Sequence, residues 1–124
     1  CAGEGALALC QQADLLRLPG QPSQAVFISQ CYAVLGDLEN ALDWARQAAD
    51  QGIVPHIALS CYANVLAQLN RVDEAVMAIE KIKETVPRFR IRASINAYRR
   101  VFASEEARQA VTAGLEKMQD MGYE

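Results

Sequence analysis

The chain of 124 residues has one histidine, four cysteines and few aromatic side chains. No two cysteines are separated by two residues, which is the spacing that zinc sites commonly use. The histidine, His56, directly follows Pro55 at the predicted start of a helix, and no carboxylate stands at a spacing that would orient it. We therefore expect no metal, no cofactor and no catalytic residues, and we expect that the chain is not an enzyme.

The chain also lacks a long apolar run and a strong net charge. No uninterrupted apolar stretch approaches the roughly 20 residues that a transmembrane helix needs, and no stretch has the form of a basic and apolar leader. The net charge of −3 is too small to indicate a nucleic-acid or membrane partner by itself. Cys10, Cys31 and Cys61 lie on apolar helical stripes, which predicts buried free thiols in a reducing compartment. We expect a cytoplasmic protein.

One pattern occurs twice between Ala25 and Pro87. The turn LGDLENA of the first copy aligns with LNRVDEA of the second, so that Ala41 falls opposite Ala75 at an offset of 34 residues. Small residues, Ser29 in the first copy and Ala63 in the second, stand where paired helices would cross. Larger side chains at these positions would push the two backbones apart.

This period and pattern resemble the tetratricopeptide repeat, a helix–turn–helix unit. The matching positions in the first copy are Ala25, Ile28, Ser29, Tyr32, Ala41, Ala45, Ala48 and Pro55. Those in the second copy are Leu59, Tyr62, Ala63, Leu66, Ala75, Ile79, Ile82 and Pro87. The resemblance implies an all-α fold in which antiparallel helix pairs form a right-handed superhelix of about seven helices.

The repeats divide the chain into four parts of one helical-repeat domain. Residues 1–21 would hold the second helix of a preceding repeat and a connector. Residues 22–55 and 56–87 would be the two full repeats, and 88–124 a degenerate repeat or C-terminal cap. A repeat helix without its partner cannot bury its apolar face, so we expect the chain to be a fragment of a larger protein.

The C-terminal part carries a second resemblance. The run PRFRI at 87–91, the aromatic Phe102, the segments SEEAR and GLEKM and the ending GYE are similar to a bacterial pattern. That pattern closes the tetratricopeptide regions of class III adenylate/guanylate cyclases and of related winged-helix regulators. The resemblance implies a regulatory segment of a signalling protein whose catalytic or DNA-binding domain lies upstream. The chain itself offers no predicted strand on which cyclase carboxylates could stand.

The first helices of the two repeats, Ser23–Leu35 and Ile57–Leu69, contain no charged residue. Such helices line the inner face of a repeat superhelix. The residues expected to face this groove are Val26, Phe27, Gln30, Ala33, Val34, Ile57, Ser60, Cys61, Asn64 and Gln68. A neutral, partly apolar groove favours an amphipathic helix or an apolar peptide as the partner. The alternative is that the face packs against the parent protein or a second copy, which would give a homodimer.

Residues 88–100 hold five arginines and no acid. This basic patch consists of Arg88, Arg90, Arg92, Arg99 and Arg100. We expect these side chains to meet acidic second helices of this chain or of a partner, and a contact with RNA or phosphate is the alternative. The run QGIVPHIALSCYANVLAQLNRVDEA also resembles a pentatricopeptide unit, which implies RNA binding, although such arrays have many repeats and a basic inner face. The main expectation is a protein–protein interaction scaffold whose partner is a protein or peptide rather than a nucleic acid or a membrane, and an RNA-binding repeat module is the alternative.

Overall fold

The computed structural model describes residues 23–51, 55–102 and 104–124, and within them every regular element is an α-helix. The six helices are α1 Ser23–Val34, α2 Leu38–Gln51, α3 Pro55–Gln68, α4 Val72–Thr85, α5 Ile91–Val101 and α6 Glu105–Asp120. The all-α prediction is confirmed for this part of the chain. The further helix and the connector predicted within residues 1–21 lie outside the described residues. None of the described helices combines the length and the apolar character of a bilayer-spanning segment.

The turns inside the first two helix pairs have the same backbone feature at aligned positions. Gly36 adopts φ +83°, and Asn70, which aligns with it 34 residues later, adopts φ +63°. Both residue types tolerate this left-handed conformation better than others do. Asp37 then caps the start of α2, since one of its carboxylate oxygens accepts a hydrogen bond from the Asn40 backbone amide at 3.2 Å.

The predicted helix crossings lie at the centre of the core. Ala41, Ala75, Ser29 and Ala63 are all fully buried. The Ser29 hydroxyl donates to the Ala41 carbonyl oxygen at 2.6 Å and so ties α1 to α2. A small side chain at each of these positions lets the helix axes approach closely, as the sequence pattern predicts.

The third helix pair is placed differently from the first two. Helix α3 packs closely against both α2 and α4, whereas α5 barely touches α4, the helix before it in the chain. Instead, α6 lies across α3 and also contacts α1. The α5–α6 pair therefore folds back over the side of the molecule formed by α1 and α3, which we call the α1–α3 face.

The two described cysteines are both buried but differ in oxidation state. Cys61 is a free thiol, as expected from its apolar stripe. Cys31 is disulfide-bonded, so the prediction that it is a free thiol is wrong. Cys1 and Cys10 lie outside the described residues.

Candidate functional site

None of the ten residues expected to line a groove is exposed. On α1, Val26, Gln30 and Ala33 are buried, and on α3 the same holds for Ser60, Cys61 and Asn64. The remaining four, Phe27, Val34, Ile57 and Gln68, are half-buried. The groove predicted from the sequence is therefore not an open face of the described chain. The sequence correctly singled out an uncharged surface, but the chain's own α5 and α6 contribute to covering it.

Asn64 makes the central polar contact between the α1–α3 face and α6. Its side-chain oxygen accepts a hydrogen bond from the Gly114 backbone amide at 2.8 Å and a longer one from Leu115 at 3.3 Å. Its side-chain nitrogen donates to the Ala110 carbonyl oxygen at 3.4 Å. In a regular α-helix the Gly114 amide and the Ala110 carbonyl bond to each other. The Asn64 side chain thus bonds to both groups of one hydrogen-bonded backbone pair of α6, the Gly114 N–H and the Ala110 C=O.

Gln68 lies one turn further along α3 and strengthens the same contact. Its side-chain nitrogen donates to the Ala110 carbonyl oxygen at 2.7 Å. The amide side chains of Asn64 and Gln68 therefore both bind the backbone of α6, not its side chains. Any helix with an accessible backbone at this point offers the same groups, so these bonds recognise a closely packed helix more than a particular polar side chain.

Close packing at this crossing depends on a glycine. A Cβ atom built on Gly114 would lie 1.9 Å from the Asn64 backbone carbonyl oxygen and 2.7 Å from its carbonyl carbon. Since both are backbone atoms, a side chain at this position could be accommodated only by moving α6 away from α3. Ala110, one turn earlier, is also small. The two small residues form the strip of α6 that meets α3.

Tyr98 anchors α5 to the first turn of α3. Its hydroxyl donates to the Ile57 carbonyl oxygen at 2.7 Å and lies 2.5 Å from the Ser60 hydroxyl oxygen. Burial raises the pKa of Tyr98 far above its ordinary value, with a smaller opposing effect from the Ser60 hydrogen bond. The phenol therefore acts as a neutral hydrogen-bonding group between the two helices.

Two further contacts complete the α1–α3 face. The rings of Phe27 on α1 and Phe102, which follows α5, stack with centroids 6.2 Å apart and planes inclined by 10°. The Cys61 thiol donates to the Ser29 hydroxyl oxygen at 3.6 Å. Burial raises the pKa of Cys61 to about 11, against a small lowering by Ser29. A thiol in this state is unreactive at neutral pH, so Cys61 serves as a core residue.

The basic patch divides into one paired arginine and four exposed ones. Arg99 binds Glu105 at 2.7 Å and lies 3.9 Å from a carboxylate oxygen of Glu116, both on α6. Its hydrogen bond lowers the pKa of Glu105. The others are exposed and have no ion pair with a described residue, namely Arg88, Arg90, Arg92 and Arg100. The expected pairing with acidic helices of the same chain thus holds for Arg99 alone.

The residues that sequence reasoning missed are those of α6 and α5 that hold the face closed. These residues are Gly114, Ala110 and Tyr98. His56 is exposed, and the described part of the chain contains no group of three metal-ligating side chains. No protein-family model, no curated protein and no solved structure matches this chain.

Proposed function

We propose that the chain is a protein-interaction module of the tetratricopeptide kind, which binds an amphipathic helix across the α1–α3 face. The observation that carries this proposal is the contact with α6, which Asn64 and Gln68 hold through its backbone at Ala110 and Gly114. In this chain α6 occupies the place of the partner. A partner helix would therefore compete with α6.

The geometry defines what such a partner must look like. The Gly114 position leaves no room for a Cβ atom, and the Ala110 carbonyl must remain accessible to Gln68. The partner is thus an amphipathic helix with two small residues four positions apart on its apolar side. Leu115 and Met118, both fully buried, show the kind of large apolar side chains that flank this strip.

The repeat assignment is supported by the two aligned helix pairs. They share the 34-residue offset, the left-handed turn at Gly36 and Asn70, and buried small residues at the crossings. Within this proposal α1 to α4 form the start of a right-handed superhelix, and the chain belongs to the regulatory region of a bacterial signalling protein related to cyclases or winged-helix regulators. The module itself would carry no catalytic activity.

The second candidate, an RNA-binding repeat module, receives less support. RNA-binding arrays present basic side chains on the face formed by their first helices, whereas α1 and α3 contain no Asp, Glu, Lys or Arg. The exposed arginines of the basic patch belong to α5 and the segment before it.

The test uses a labelled peptide of residues 105–124 and the full chain. In the parent chain the intramolecular α6 competes, so the peptide should bind weakly. Gly114→Leu in the full chain should release α6 and tighten peptide binding by about ten-fold or more, because the fraction of binding-competent molecules rises. The peptide carrying Gly114→Leu should not bind. Gln109→Leu, which adds the same side chain on the exposed side of α6, is the matched control.

Circular dichroism of each variant checks that the chain keeps at least the helix content expected of α1 to α4. If the helical Gly114→Leu chain does not bind the unmodified peptide, the α1–α3 face is a core interface and the proposed function is wrong. The milder Gly114→Ala variant serves where leucine prevents folding, since its Cβ meets the same backbone atoms.

A further inference from the structure

The outer side of α5 is a basic surface that the contact with α6 does not use. It consists of Arg92, Ala93, Asn96, Ala97 and Arg100, all exposed. We call this set the basic face of α5. Arg92, Asn96 and Arg100 follow each other at intervals of four residues, so they form a row about 12 Å long on the helix. The two alanines beside the row leave the surface low enough for another helix to approach.

The charge of this face is not neutralised within the described chain. Arg99, which points toward α6, binds two carboxylates there. Arg92 and Arg100 have no carboxylate of a described residue within ion-pair distance, and the exposed Arg88 and Arg90 precede the same helix. A positive surface of this extent attracts an anionic partner.

Helix α4 carries a surface of the opposite sign. Asp73, Met77, Glu80 and Glu84 are exposed, and helical periodicity places them on the side opposite the buried Ile82. We call these four residues the acidic face of α4. Its carboxylates form no ion pair with a described residue. Met77 is 67% exposed, more than any other large apolar side chain in the described part.

We propose that the acidic face of α4 in one copy of the chain packs on the basic face of α5 in a second copy. The charges are complementary, and the acidic face, about 16 Å long, spans the arginine row. Met77 would lie against Ala93 and Ala97, where no larger side chain blocks it. Within one chain this pairing does not form, because α4 and α5 barely touch and both faces stay exposed.

A second copy fits the basic face better than a single-stranded nucleic acid does. Proteins that bind such strands place aromatic rings beside their basic side chains, so that bases can stack on them. The aromatic residues nearest to these arginines in the sequence are Phe89, Tyr98 and Phe102. Phe89 and Tyr98 are buried, and the half-buried ring of Phe102 is stacked on Phe27. The Tyr98 hydroxyl is also committed to Ile57. The face thus offers charge and a flat surface, which an acidic helix can use.

Charge reversal tests the pairing without touching the α6 contact. One variant carries Arg92→Glu with Arg100→Glu, and the other carries Glu80→Arg with Glu84→Arg. All four positions are exposed, so both variants should keep the parent's circular dichroism and unfolding midpoint. Sedimentation is measured at about 0.01 M and about 1 M salt, where the Debye length is roughly 30 Å and roughly 3 Å.

The parent should self-associate at low salt and dissociate at high salt. Each variant alone should associate at least about ten-fold more weakly than the parent, because like charges then face each other. An equimolar mixture should associate again, since each variant presents the charge that the other lacks. A parent that stays monomeric at low salt, or a mixture that does not recover, overturns the proposal. If the parent binds a uridine oligonucleotide through Arg92 and Arg100 instead, the basic face is a phosphate site and the proposal is equally wrong. None of these results depends on peptide binding to the α1–α3 face.

Discussion

Asn64→Asp should make the stability of the chain depend on pH in a way that the parent's does not. The Asn64 amide accepts from the Gly114 and Leu115 amides and donates to the Ala110 carbonyl, at a site that is 2% exposed. A protonated carboxyl can make the same three bonds. An ionised carboxylate can accept the two amide bonds, but it sets a charged oxygen against the Ala110 carbonyl oxygen.

The magnitude follows from burial and from the lost donor. A buried charge without a cationic partner costs about 3–5 kcal/mol, and charge-assisted bonds from two backbone amides offset about 1–2 kcal/mol of this. We expect Asn64→Asp to lower the free energy of unfolding by about 2–3 kcal/mol at neutral pH. Burial should raise the pKa of the new carboxyl above the unfolded value of about 3.9. The destabilisation is then small below pH of about 4, grows as the pH rises through that value, and levels off above the folded pKa.

Urea unfolding followed by circular dichroism, at several pH values, measures this effect. Gln47→Glu changes the net charge equally at an exposed position on α2, and its stability should stay within about 0.5 kcal/mol of the parent. The reasoning is refuted if Asn64→Asp is as stable as the parent at neutral pH. It is also refuted if the loss is the same at acidic and neutral pH, because the carboxyl would then be solvated in the folded chain.

Three further substitutions or measurements address the rest of the core. Ala41→Glu or Ala75→Glu puts a charge at a fully buried helix crossing and should unfold the chain, at a cost of several kcal/mol; a stable variant in circular dichroism would contradict the crossing. Tyr98→Phe removes the bond to the Ile57 carbonyl and should cost about 1 kcal/mol in urea unfolding, so an unchanged midpoint would rule out that contribution. The pKa of Cys61, raised to about 11 by burial, lies above the unfolded value of about 8.5. The free energy of unfolding should therefore decline between these two pH values. Mass spectrometry should find Cys61 alkylated in urea but protected in the folded chain. Equal alkylation of the folded and the unfolded chain would show that the thiol is exposed.

The first two helix pairs could be predicted from the sequence because their determinants are local and occur twice. The 34-residue offset aligns Ala41 with Ala75 and Gly36 with Asn70, and the structure places each pair in the same environment. A glycine and an asparagine look different in the sequence. Both nevertheless tolerate a positive φ, so the turn is preserved.

The position of α6 could not be predicted, because helical periodicity identifies an apolar side but not what covers it. The absence of charge on α1 and α3 predicted a groove for a partner or for a second copy, whereas these residues are buried or half-buried in the described chain. It did not distinguish a partner from another part of the chain. Gly114 was the available signal, since glycine inside a helix costs about 1 kcal/mol relative to alanine and often marks a close approach. Its partner across the crossing, Asn64, lies 50 residues away, a distance over which no local pattern carries information.

The occupied α1–α3 face sets a condition that any partner helix has to meet. Helix α6 is tied to the chain by the short segment 86–90 and α5, so its local concentration at the face is of millimolar order. For every 1.4 kcal/mol or so by which the closed arrangement is favoured, the apparent affinity of an external helix falls ten-fold. Gly114 belongs to the competing helix alone, whereas under the proposed function Asn64 would serve both occupants. A change at Gly114 should therefore weaken folding and strengthen partner binding, while a change at Asn64 should weaken both. That difference separates a binding face held closed by its own helix from a core that has no other occupant.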